Sequence, residues 1–432
     1  MRSSLSILFF IFTISCSIGQ SRVLTVGAPE KSGMSAERLQ RIDKLIQGYV
    51  DSGWIAGATA LVARDGNIVY QKAIGFDDKS KNKSMQKDAI FRIASQTKAI
   101  TSVGIMMLYE DGKLLLDDPI AKYIPEFRKP QVLDKFNAAD TTYTTIPAKR
   151  EITIRDLLTH TSGIGYAQIG SKEMNAIYYK NGVVGGIGLK PGSKLADNIK
   201  KLGTLPLAHQ PGEKWTYGLN TDVLGYLIEV LSGLSLDDYF HKKIFEPLGM
   251  KDTYFYLPKE KAGRLAMLHS EDASKHVVNT PEVININGSM FRDYPIIDGG
   301  SFYSGGGGLS STAYDYSIFM QMLLNGGEYN GKRLLSPASI HLMTINQIGD
   351  ISIGRNSKFG LGFQVVTETD EPRNTVSLGT FSWGGMFASS YWIDPKEKIV
   401  AQFVLQQYPI SHGDIAEKFK VAVYQAIEKS QK

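Results

Sequence analysis

The chain has 432 residues, of which 43% are hydrophobic and 10% aromatic, enough to bury a sizeable core in one large domain or in two to three smaller ones. Its 48 basic and 43 acidic side chains are spread along the chain and leave a formal charge of only +5. This distribution excludes the basic stripe that nucleic-acid binding requires, so no polyanionic partner is implied.

The N-terminus has the pattern of an export signal. Arg2 precedes an apolar run from Leu5 to Ile14, and Ser17-Ile18-Gly19 offers small residues for cleavage before Gln20. The run is too short to span a bilayer. We therefore predict a signal peptide over residues 1–19, and a periplasmic or secreted protein with no stable membrane insertion once the signal is removed.

The single cysteine, Cys16, lies inside this predicted signal. A chain cut after Gly19 has no thiol, which excludes disulfides and cysteine catalysis. Lipidation at Cys16 is the alternative, but Thr13-Ile14-Ser15 is a poor approach sequence for lipoprotein processing.

Helical spacing comes first in the remaining chain and strands follow. Residues 35–51 place Leu39, Ile42, Ile46 and Val50 on one face, which predicts a helix. The segments ATALVAR (58–64) and NIVYQKAIG (67–75), joined by Asp65-Gly66, predict a hairpin.

Helix and loop signals dominate from about residue 95 to about residue 295, with a predicted N-cap at Thr153 and a predicted C-cap at Gly233. The end returns to strands in KFGLGFQVV (358–366), SSYWIDP (389–395) and KIVAQFVLQQ (398–407), followed by a predicted closing helix over residues 414–430. Strands at both ends predict an α+β fold with two lobes. Residues 20–94 and 296–432 are expected to form an α/β lobe that contains one sheet, and residues 95–295 to form a mostly helical lobe.

The tetrapeptide Ser95-Gln96-Thr97-Lys98 places a hydroxyl and an amine one helical turn apart, where a buried helix begins. At a helix N-terminus the dipole favours a developing oxyanion and an activated nucleophile. Ser80-Lys83 and Ser84-Lys87 have the same spacing but lie in a charged segment whose lysines are solvated. The alternative for Ser95 is an ordinary N-cap.

Other chemistries find no support in the sequence. It contains neither a G-x-S-x-G elbow nor an H-E-x-x-H or other metal-binding spacing, so we expect neither a metal nor an organic cofactor. The segment 326–332 resembles a phosphate loop, but Arg333 replaces the required Ser or Thr, and we predict a turn. His160 ends a helix and is interpreted as structural.

Two later segments carry candidate partners for the serine. Tyr217 lies in a loop before a helix, where it is either a functional group or a cap on the core. Trp383-Gly384-Gly385-Met386 forms a glycine break before the strand FASSYWID, where a substrate could approach the backbone; the alternative is a bulge.

The segments RIASQTKAITSVGIMMLYEDGKLLLDDPIAKYIPEF, ITIRDLLTHTSGIGY, PGEKWTYGLNTDVLGYLIE, GGGGLSSTAYDYSIFMQMLLNGG and FSWGGMFASSYWIDPKEKIVAQF follow one another in the chain. In content and order they resemble the penicilloyl-serine hydrolases: class C β-lactamases, DD-peptidases, and the family VIII carboxylesterases and transesterases. The resemblance covers nearly all of the chain after the signal. It implies the β-lactamase/transpeptidase fold, with a central, mainly antiparallel sheet flanked by helices.

The resemblance also implies a role for each matching residue. Ser95 would attack an acyl carbon, and Lys98 with Tyr217 would relay the proton. The backbone N–H groups of Ser95 and Met386 would hold the oxyanion, each donor worth about 2–4 kcal/mol.

Departures from the family pattern concern the substrate. The Y-x-N motif is replaced by Tyr217-Gly218-Leu219, with Asn220 one place late, and K-[ST]-G is replaced by Trp383-Gly384-Gly385. Lys31-Ser32-Gly33 matches K-S-G but precedes the serine and is a coincidence. Losing that lysine removes a cation suited to a carboxylate, and tryptophan supplies an apolar wall.

We therefore predict an exported serine hydrolase that acts on neutral acyl esters. Three alternatives remain: a β-lactamase or D-amino-acid peptidase with the same nucleophile, a non-catalytic ligand-binding protein of the same fold, and an acyltransferase to a small alcohol. The binding protein would be marked by loss of Ser95, Lys98 or Tyr217, and all three are present.

Overall fold

A computed structural model describes residues 23–187, 192–284, 290–354, 357–369 and 375–430. The predicted signal segment and Cys16 lie outside the described residues. Within them there are twelve α-helices, numbered α1 to α12: Ala36–Leu39, Arg41–Asp51, Thr97–Glu110, Ile154–Leu158, Lys172–Lys180, Leu195–Gly203, Asn220–Ser232, Leu236–Phe240, Glu246–Leu248, Ala313–Leu324, Pro337–Met343 and Ile415–Tyr424.

The described residues also contain nineteen strands, numbered β1 to β19: Thr25–Val26, Gly57–Arg64, Asn67–Asp78, Lys83–Ser84, Phe91–Arg92, Gln131–Asn137, Thr142–Pro147, His269–Glu271, Val277–Asn279, Val283–Ile284, Met290–Phe291, Ser310–Ser311, Glu328–Tyr329, Lys332–Arg333, Lys358–Phe359, Gln364–Val365, Phe381–Gly385, Ser389–Asp394 and Ile399–Val404. Among these helices, none is long and apolar enough to cross a membrane.

A nine-stranded sheet organises the fold. Its order is β1-β3-β2-β19-β18-β17-β16-β15, with β4 paired to β3, and every pair except β1 with β3 is antiparallel. The central pair joins the two ends of the chain, since Leu61 of β2 lies opposite Gln402 of β19. The predicted fold class is therefore confirmed: both termini build one mainly antiparallel sheet.

The two faces of the sheet cover two separate cores. Ile42 and Ile46 of α2 pack with Phe419 of α12 on one face. On the other face, Ile100 and Val103 of α3 belong to the larger core, which continues into the helices of the middle of the chain. The nucleophile predicted at the start of α3 therefore lies on the second face.

The predicted hairpin and caps are present. Asp65 and Gly66 have positive φ values of 56° and 79° in the β2–β3 turn, and Thr153 caps α4 by accepting a hydrogen bond from the backbone N–H of Asp156. Gly233, with a φ of 70°, ends α7. The segment 326–332 contains β13, the turn of the β13–β14 hairpin and the first residue of β14, so the predicted turn is present within a hairpin.

Two predictions about the elements were inexact. The region from 95 to 295 also contains the hairpin of β6 and β7, whose run of threonines favours strand. The closing helix ends at Tyr424, because the backbone N–H groups of Glu428 and Lys429 donate to Gly33. The tail thereby pairs with the N-terminal segment instead of continuing the helix.

Candidate active site

The turn that carries Ser95 is held by strand pairing before it and by helix burial after it. β5 pairs with β12, placing Arg92 opposite Ser310. A single 3-10 turn, Ala94–Gln96, then leads directly into α3. Ala94 has a φ of 44°, a left-handed conformation that is costly for a residue with a Cβ and that recurs at functional sites. The turn presents Ser95, which is partly exposed, at the N-terminal end of a buried helix.

Lys98 lies one turn further along α3, and only 2% of it is exposed. Its Nζ donates to Ser95 Oγ at 3.2 Å, to Tyr166 Oη at 2.9 Å and to the carbonyl oxygen of Gly306 at 2.7 Å. An ammonium has three N–H donors, so these three acceptors saturate it and fix its position.

Tyr217 reaches the same serine from a separate loop that precedes α7. Its Oη donates to Ser95 Oγ at 2.7 Å, and Lys98 Nζ lies 4.7 Å from the centroid of its ring. The ring packs against His160, with centroids 5.1 Å apart, and against Trp383, with centroids 5.5 Å apart. The structure thus brings Ser95, Lys98 and Tyr217 together, as the sequence predicted.

Burial and charge act in opposite directions on the pKa values of Lys98 and Tyr166. Burial lowers the pKa of the Lys98 ammonium, but the oxygens of Tyr166 and Tyr217 outweigh it and raise that pKa above its usual value. Burial raises the pKa of the Tyr166 hydroxyl, although the nearby Lys98 opposes the shift. The structure therefore places a buried ammonium next to Ser95 Oγ and the ring of Tyr217.

Tyr166 is a member of the site that the sequence analysis did not identify. It lies eight residues after the end of α4, in the segment ITIRDLLTHTSGIGY that contributes to the family resemblance. No spacing in the sequence linked it to Ser95. Only the folded chain shows that its hydroxyl accepts a hydrogen bond from Lys98.

Gly306 is a second such member, and it did leave a signal in the sequence. It belongs to the run Gly305–Gly308, and a Cβ at Gly306 would lie 2.4 Å from Asp222 Oδ2, a clash that excludes any side chain. Asp222 Oδ1 accepts hydrogen bonds from Ser304 Oγ at 2.6 Å and from the Gly306 N–H at 3.3 Å. The four glycines therefore indicate a close backbone approach, which aims the Gly306 carbonyl at Lys98.

His160 and Asn220 form a buried support behind Tyr217. The side-chain Nδ2 of Asn220 lies 2.9 Å from His160 Nδ1, and its Oδ1 accepts a hydrogen bond from Ser162. Burial, reinforced by the charge of Lys98, holds the pKa of His160 well below its ordinary value. His160 therefore packs as a neutral ring, consistent with the structural interpretation, and Asn220 is committed to internal hydrogen bonds.

The segment Trp383–Gly385 is the end of strand β17, and not a break before a strand as expected. A Cβ on Gly385 would lie 2.5 Å from the Ile93 carbonyl oxygen. The absence of a side chain on Gly385 therefore lets the backbone before the turn that carries Ser95 pack against β17. Trp383 Nε1 donates to Tyr217 Oη at 3.4 Å. Met386 follows directly and lines the same cavities as Ser95.

Two cavities meet at Ser95, Tyr217 and Met386. The smaller, of about 300 Å³, has Ile169, Ile187 and Met290 in its wall. The larger, of about 860 Å³, is lined mainly by polar and small residues of β17, β18 and their neighbours: Ser357, Gln364, Thr380, Ser382, Gly384, Ser389 and Ser390. Ser95 therefore lies at the junction of a smaller cavity with several apolar side chains in its wall and a larger cavity with many hydroxyl and amide side chains.

The other matches to the serine–lysine spacing, and the segment that matches K-S-G, lie away from this junction. Ser80 and Ser84 are exposed in the turn around β4. Lys31 and Ser32 belong to a 3-10 turn near the N-terminus, where Ser32 accepts a hydrogen bond from Arg64 through its carbonyl oxygen. Neither set lines either of the two cavities.

Comparison with known sequences gives matches along most of the chain. The sequence model of the family described as Beta-lactamase matches residues 42–424. Protein Rv1367c of Mycobacterium tuberculosis is 35% identical over 388 residues, covering 86% of this chain and 90% of the relative. Esterase EstB of Burkholderia gladioli is 28% identical over 369 residues, covering 83% of this chain and 88% of the relative.

Comparison with solved structures gives the same fold. The structure described as EstCE1, a hydrolase with promiscuous acyltransferase activity, superposes with a TM-score of 0.77 at 26% identity. The match covers 90% of this chain and 99% of that one.

Proposed function

The chain is a serine hydrolase of the beta-lactamase family, and we propose that it cleaves carboxylic esters of short apolar acyl groups through an acyl-Ser95 intermediate. One observation carries the proposal: Ser95 Oγ lies 2.7 Å from Tyr217 Oη and 3.2 Å from Lys98 Nζ at the junction of the two cavities. A hydroxyl beside a proton-relaying pair is the arrangement that nucleophilic catalysis requires.

The proposed reaction has two steps. In the first, Ser95 Oγ bonds to the acyl carbon and the bond from that carbon to the alcohol oxygen breaks. The serine proton passes to Tyr217 Oη as Tyr217 gives its own proton to the departing alkoxide, while the cationic Lys98 stabilises the charge that develops on Tyr217. In the second, a water oxygen bonds to the acyl carbon, the bond from that carbon to Ser95 Oγ breaks, and the water proton passes through the same pair to Ser95 Oγ as the carboxylic acid is released. The backbone N–H groups of Ser95 and Met386 are the proposed oxyanion donors.

The preference for substrates without a charged group next to the scissile ester rests on the wall beside Ser95. Trp383 occupies the strand end where the lactamase motif has a lysine, and its ring packs on Tyr217 and Phe359. An indole there favours apolar contact over pairing with a substrate carboxylate. We assign the acyl group to the smaller cavity, because Ile169, Ile187 and Met290 suit a short hydrocarbon chain.

The test compares the protein with its Ser95→Ala variant on 4-nitrophenyl butyrate and on nitrocefin. We expect ester turnover that is lost in the variant, and little turnover of nitrocefin. Full ester hydrolysis by Ser95→Ala would exclude Ser95 as the nucleophile, and nitrocefin turnover far above that of any ester would instead make the protein a β-lactamase.

Transfer to an alcohol is a second candidate, favoured by the size of the larger cavity. About 860 Å³ beside Ser95 can hold an acceptor alcohol together with the acyl-enzyme. Adding butanol to the butyrate assay would yield butyl butyrate at the expense of butyrate if the acyl-enzyme accepts alcohols. An unchanged yield of butyrate would leave hydrolysis as the reaction.

Export through residues 1–19 belongs to the same proposal. Expression of the full chain in a bacterial host should give a periplasmic or secreted product that begins at Gln20. A cytoplasmic product retaining Met1 would contradict it.

A further inference from the structure

The larger cavity has two parts, which lie on opposite faces of the sheet. Side chains alternate along a strand, so Trp383 faces Ser95 while its neighbours Ser382 and Gly384 face α12. Trp392, opposite Ser382, packs against Phe419 of α12 with ring centroids 5.6 Å apart. Residues of both faces line the one cavity, which therefore extends from the active site to the helix behind the sheet.

The cavity passes from one face to the other where β17 lacks a neighbour. The pairing of β16 with β17 consists of Val365 with Phe381 and Gln364 with Ser382. Within the described residues this pairing stops at Ser382, so the edge of Trp383–Gly385 borders the cavity and not another strand. A substrate group that extends from Ser95 can cross at this edge.

We call the part behind the sheet the rear groove and define it by eight residues: Thr380, Ser382, Gly384, Ser390, Trp392, Ala416, Glu417 and Lys420. Small side chains on the sheet leave space under α12. Two hydroxyls in this groove, Thr380 Oγ1 and Ser390 Oγ, are buried without a hydrogen-bond partner among the described residues. Thr380 is only 1% exposed. A buried hydroxyl left without a partner is costly, so the groove favours a ligand with polar atoms.

A cation lies at the far end of the rear groove. Lys420 Nζ lies 5.8 Å from the centroid of the Trp392 ring and donates to Glu417 Oε1 at 2.9 Å. The Glu417 side chain is 75% exposed, whereas that of Lys420 is 23% exposed. An exposed pair of this kind holds its lysine weakly, so a ligand carboxylate can replace Glu417.

We propose that the rear groove binds the distal part of the alcohol group of the ester, and that it selects alcohols that carry hydrogen-bonding groups and a terminal carboxylate. This inference rests on the proposed esterase function. Gly385 packs against Ile93, just before the turn that carries Ser95. Ser382 lies three residues away from Gly385 and opposite Trp392, whose ring lies below Lys420. At about 3.3 Å per strand residue, the three residues from Gly385 to Ser382 span roughly 10 Å, so we expect the carboxylate at least that far from the ester carbon.

Two synthetic esters of matched length test the charge. In 8-butyryloxyoctanoate the carboxylate follows the ester through a chain that spans this distance, and 8-butyryloxyoctanamide replaces it with a neutral amide. We expect kcat/KM to be about three- to fivefold higher for the carboxylate, the range of a partly exposed ion pair. In Lys420→Gln the ratio of kcat/KM for the carboxylate to that for the amide should fall to about one, and in Lys420→Glu the amide should become the better substrate.

Lys418 provides the matched control on the same helix. Its Nζ pairs with Asp414 at 2.7 Å and with Tyr49 Oη at 2.8 Å, and it does not line the cavity. Lys418→Gln should therefore preserve the ratio. A ratio of one in the unaltered protein, or an equal loss in the Lys418 and Lys420 variants, would overturn the inference.

Filling the groove tests its use independently of charge. Ser382→Leu should lower kcat/KM for 8-butyryloxyoctanoate and 8-butyryloxyoctanamide at least tenfold relative to ethyl butyrate, whose alcohol does not reach the groove. An equal effect on all three esters in a variant with an unchanged melting temperature would contradict the assignment. Failure of the esterase proposal is separable, because it would abolish Ser95-dependent hydrolysis of ethyl butyrate itself.

Discussion

The two tyrosines around Lys98 differ in one contact, and that difference predicts unequal effects on catalysis. Tyr217 Oη donates to Ser95 Oγ at 2.7 Å, whereas Tyr166 Oη accepts from Lys98 Nζ at 2.9 Å. Tyr217→Phe therefore removes a group that touches the nucleophile. Tyr166→Phe removes one of three acceptors of the lysine and leaves Ser95 Oγ and the Gly306 carbonyl in place.

The magnitudes follow from these contacts. A lost acid–base group costs roughly 10²- to 10⁴-fold in rate, so kcat/KM for 4-nitrophenyl butyrate should fall by that range in Tyr217→Phe. A buried hydrogen bond to a charged group is worth about 1.5–3 kcal/mol. At 1.36 kcal/mol per factor of ten, Tyr166→Phe should lower kcat/KM about ten- to hundredfold.

The pH profile separates an electrostatic role of Tyr166 from a purely structural one. Tyr166 contributes to raising the pKa of Lys98. The cationic form of Lys98 is the one assigned to catalysis, so its loss on raising the pH should give the alkaline limb of kcat/KM, and Tyr166→Phe should move that limb to lower pH.

Tyr178→Phe is the control for this comparison. Tyr178 is 1% exposed, and its Oη accepts a hydrogen bond from the Gly165 N–H at 3.4 Å. The variant should leave the alkaline limb in place. A larger loss of kcat/KM in Tyr166→Phe than in Tyr217→Phe would refute the assigned roles, as would an alkaline limb that Tyr166→Phe does not move.

Three further predictions concern the support of the site and of the fold. Gly306→Ala should lower kcat/KM on 4-nitrophenyl butyrate, because a Cβ 2.4 Å from Asp222 Oδ2 displaces the carbonyl that holds Lys98; full activity would contradict this. Asn220→Ala should lower the free energy of unfolding in urea by about 1–3 kcal/mol, because it leaves buried partners at His160 and Ser162 unsatisfied. Burial raises the pKa of Asp315 from 3.8 to about 6, so the unfolded chain loses this proton first and stability falls as the pH rises from about 4 to 6. That loss, ~3 kcal/mol at 1.36 kcal/mol per pKa unit, should be absent in Asp315→Asn when urea denaturation curves are compared across this pH range, and parallel curves would refute it.

Local signals in the sequence predicted the elements that depend on local chemistry. The capping threonine at 153, the left-handed glycine at 233 and the turn at 65–66 act within a few residues, and each lies where predicted. The spacing of Ser95 and Lys98 is equally local, because one helical turn brings the two side chains to the same face.

Long-range partners were not predictable from spacing. Tyr166 meets Lys98 across 68 residues of chain, and the tail beyond Tyr424 leaves the helix only because it pairs with Gly33 at the other end of the protein. The exposed strands β6 and β7 were missed because the helical signals around them dominated that part of the sequence. Tyr217 was identified through the ordered resemblance, since its distance from Ser95 in the chain has no periodic meaning.

The contacts of Lys98 explain why the serine–lysine spacing is necessary but not sufficient to form the candidate active site. At Ser80 and Lys83 the same spacing lies in an exposed turn, and Lys83 pairs with Asp77. At Ser95 the ammonium is buried, and its three acceptors come from the 3-10 turn before α3, from the segment after α4 and from the glycine run. A hydrated lysine would exchange its partners with water and lose both its orientation and its effect on Tyr217. The candidate site is therefore formed where three distant segments close around one amine, and we predict that the serine is reactive only where that closure occurs.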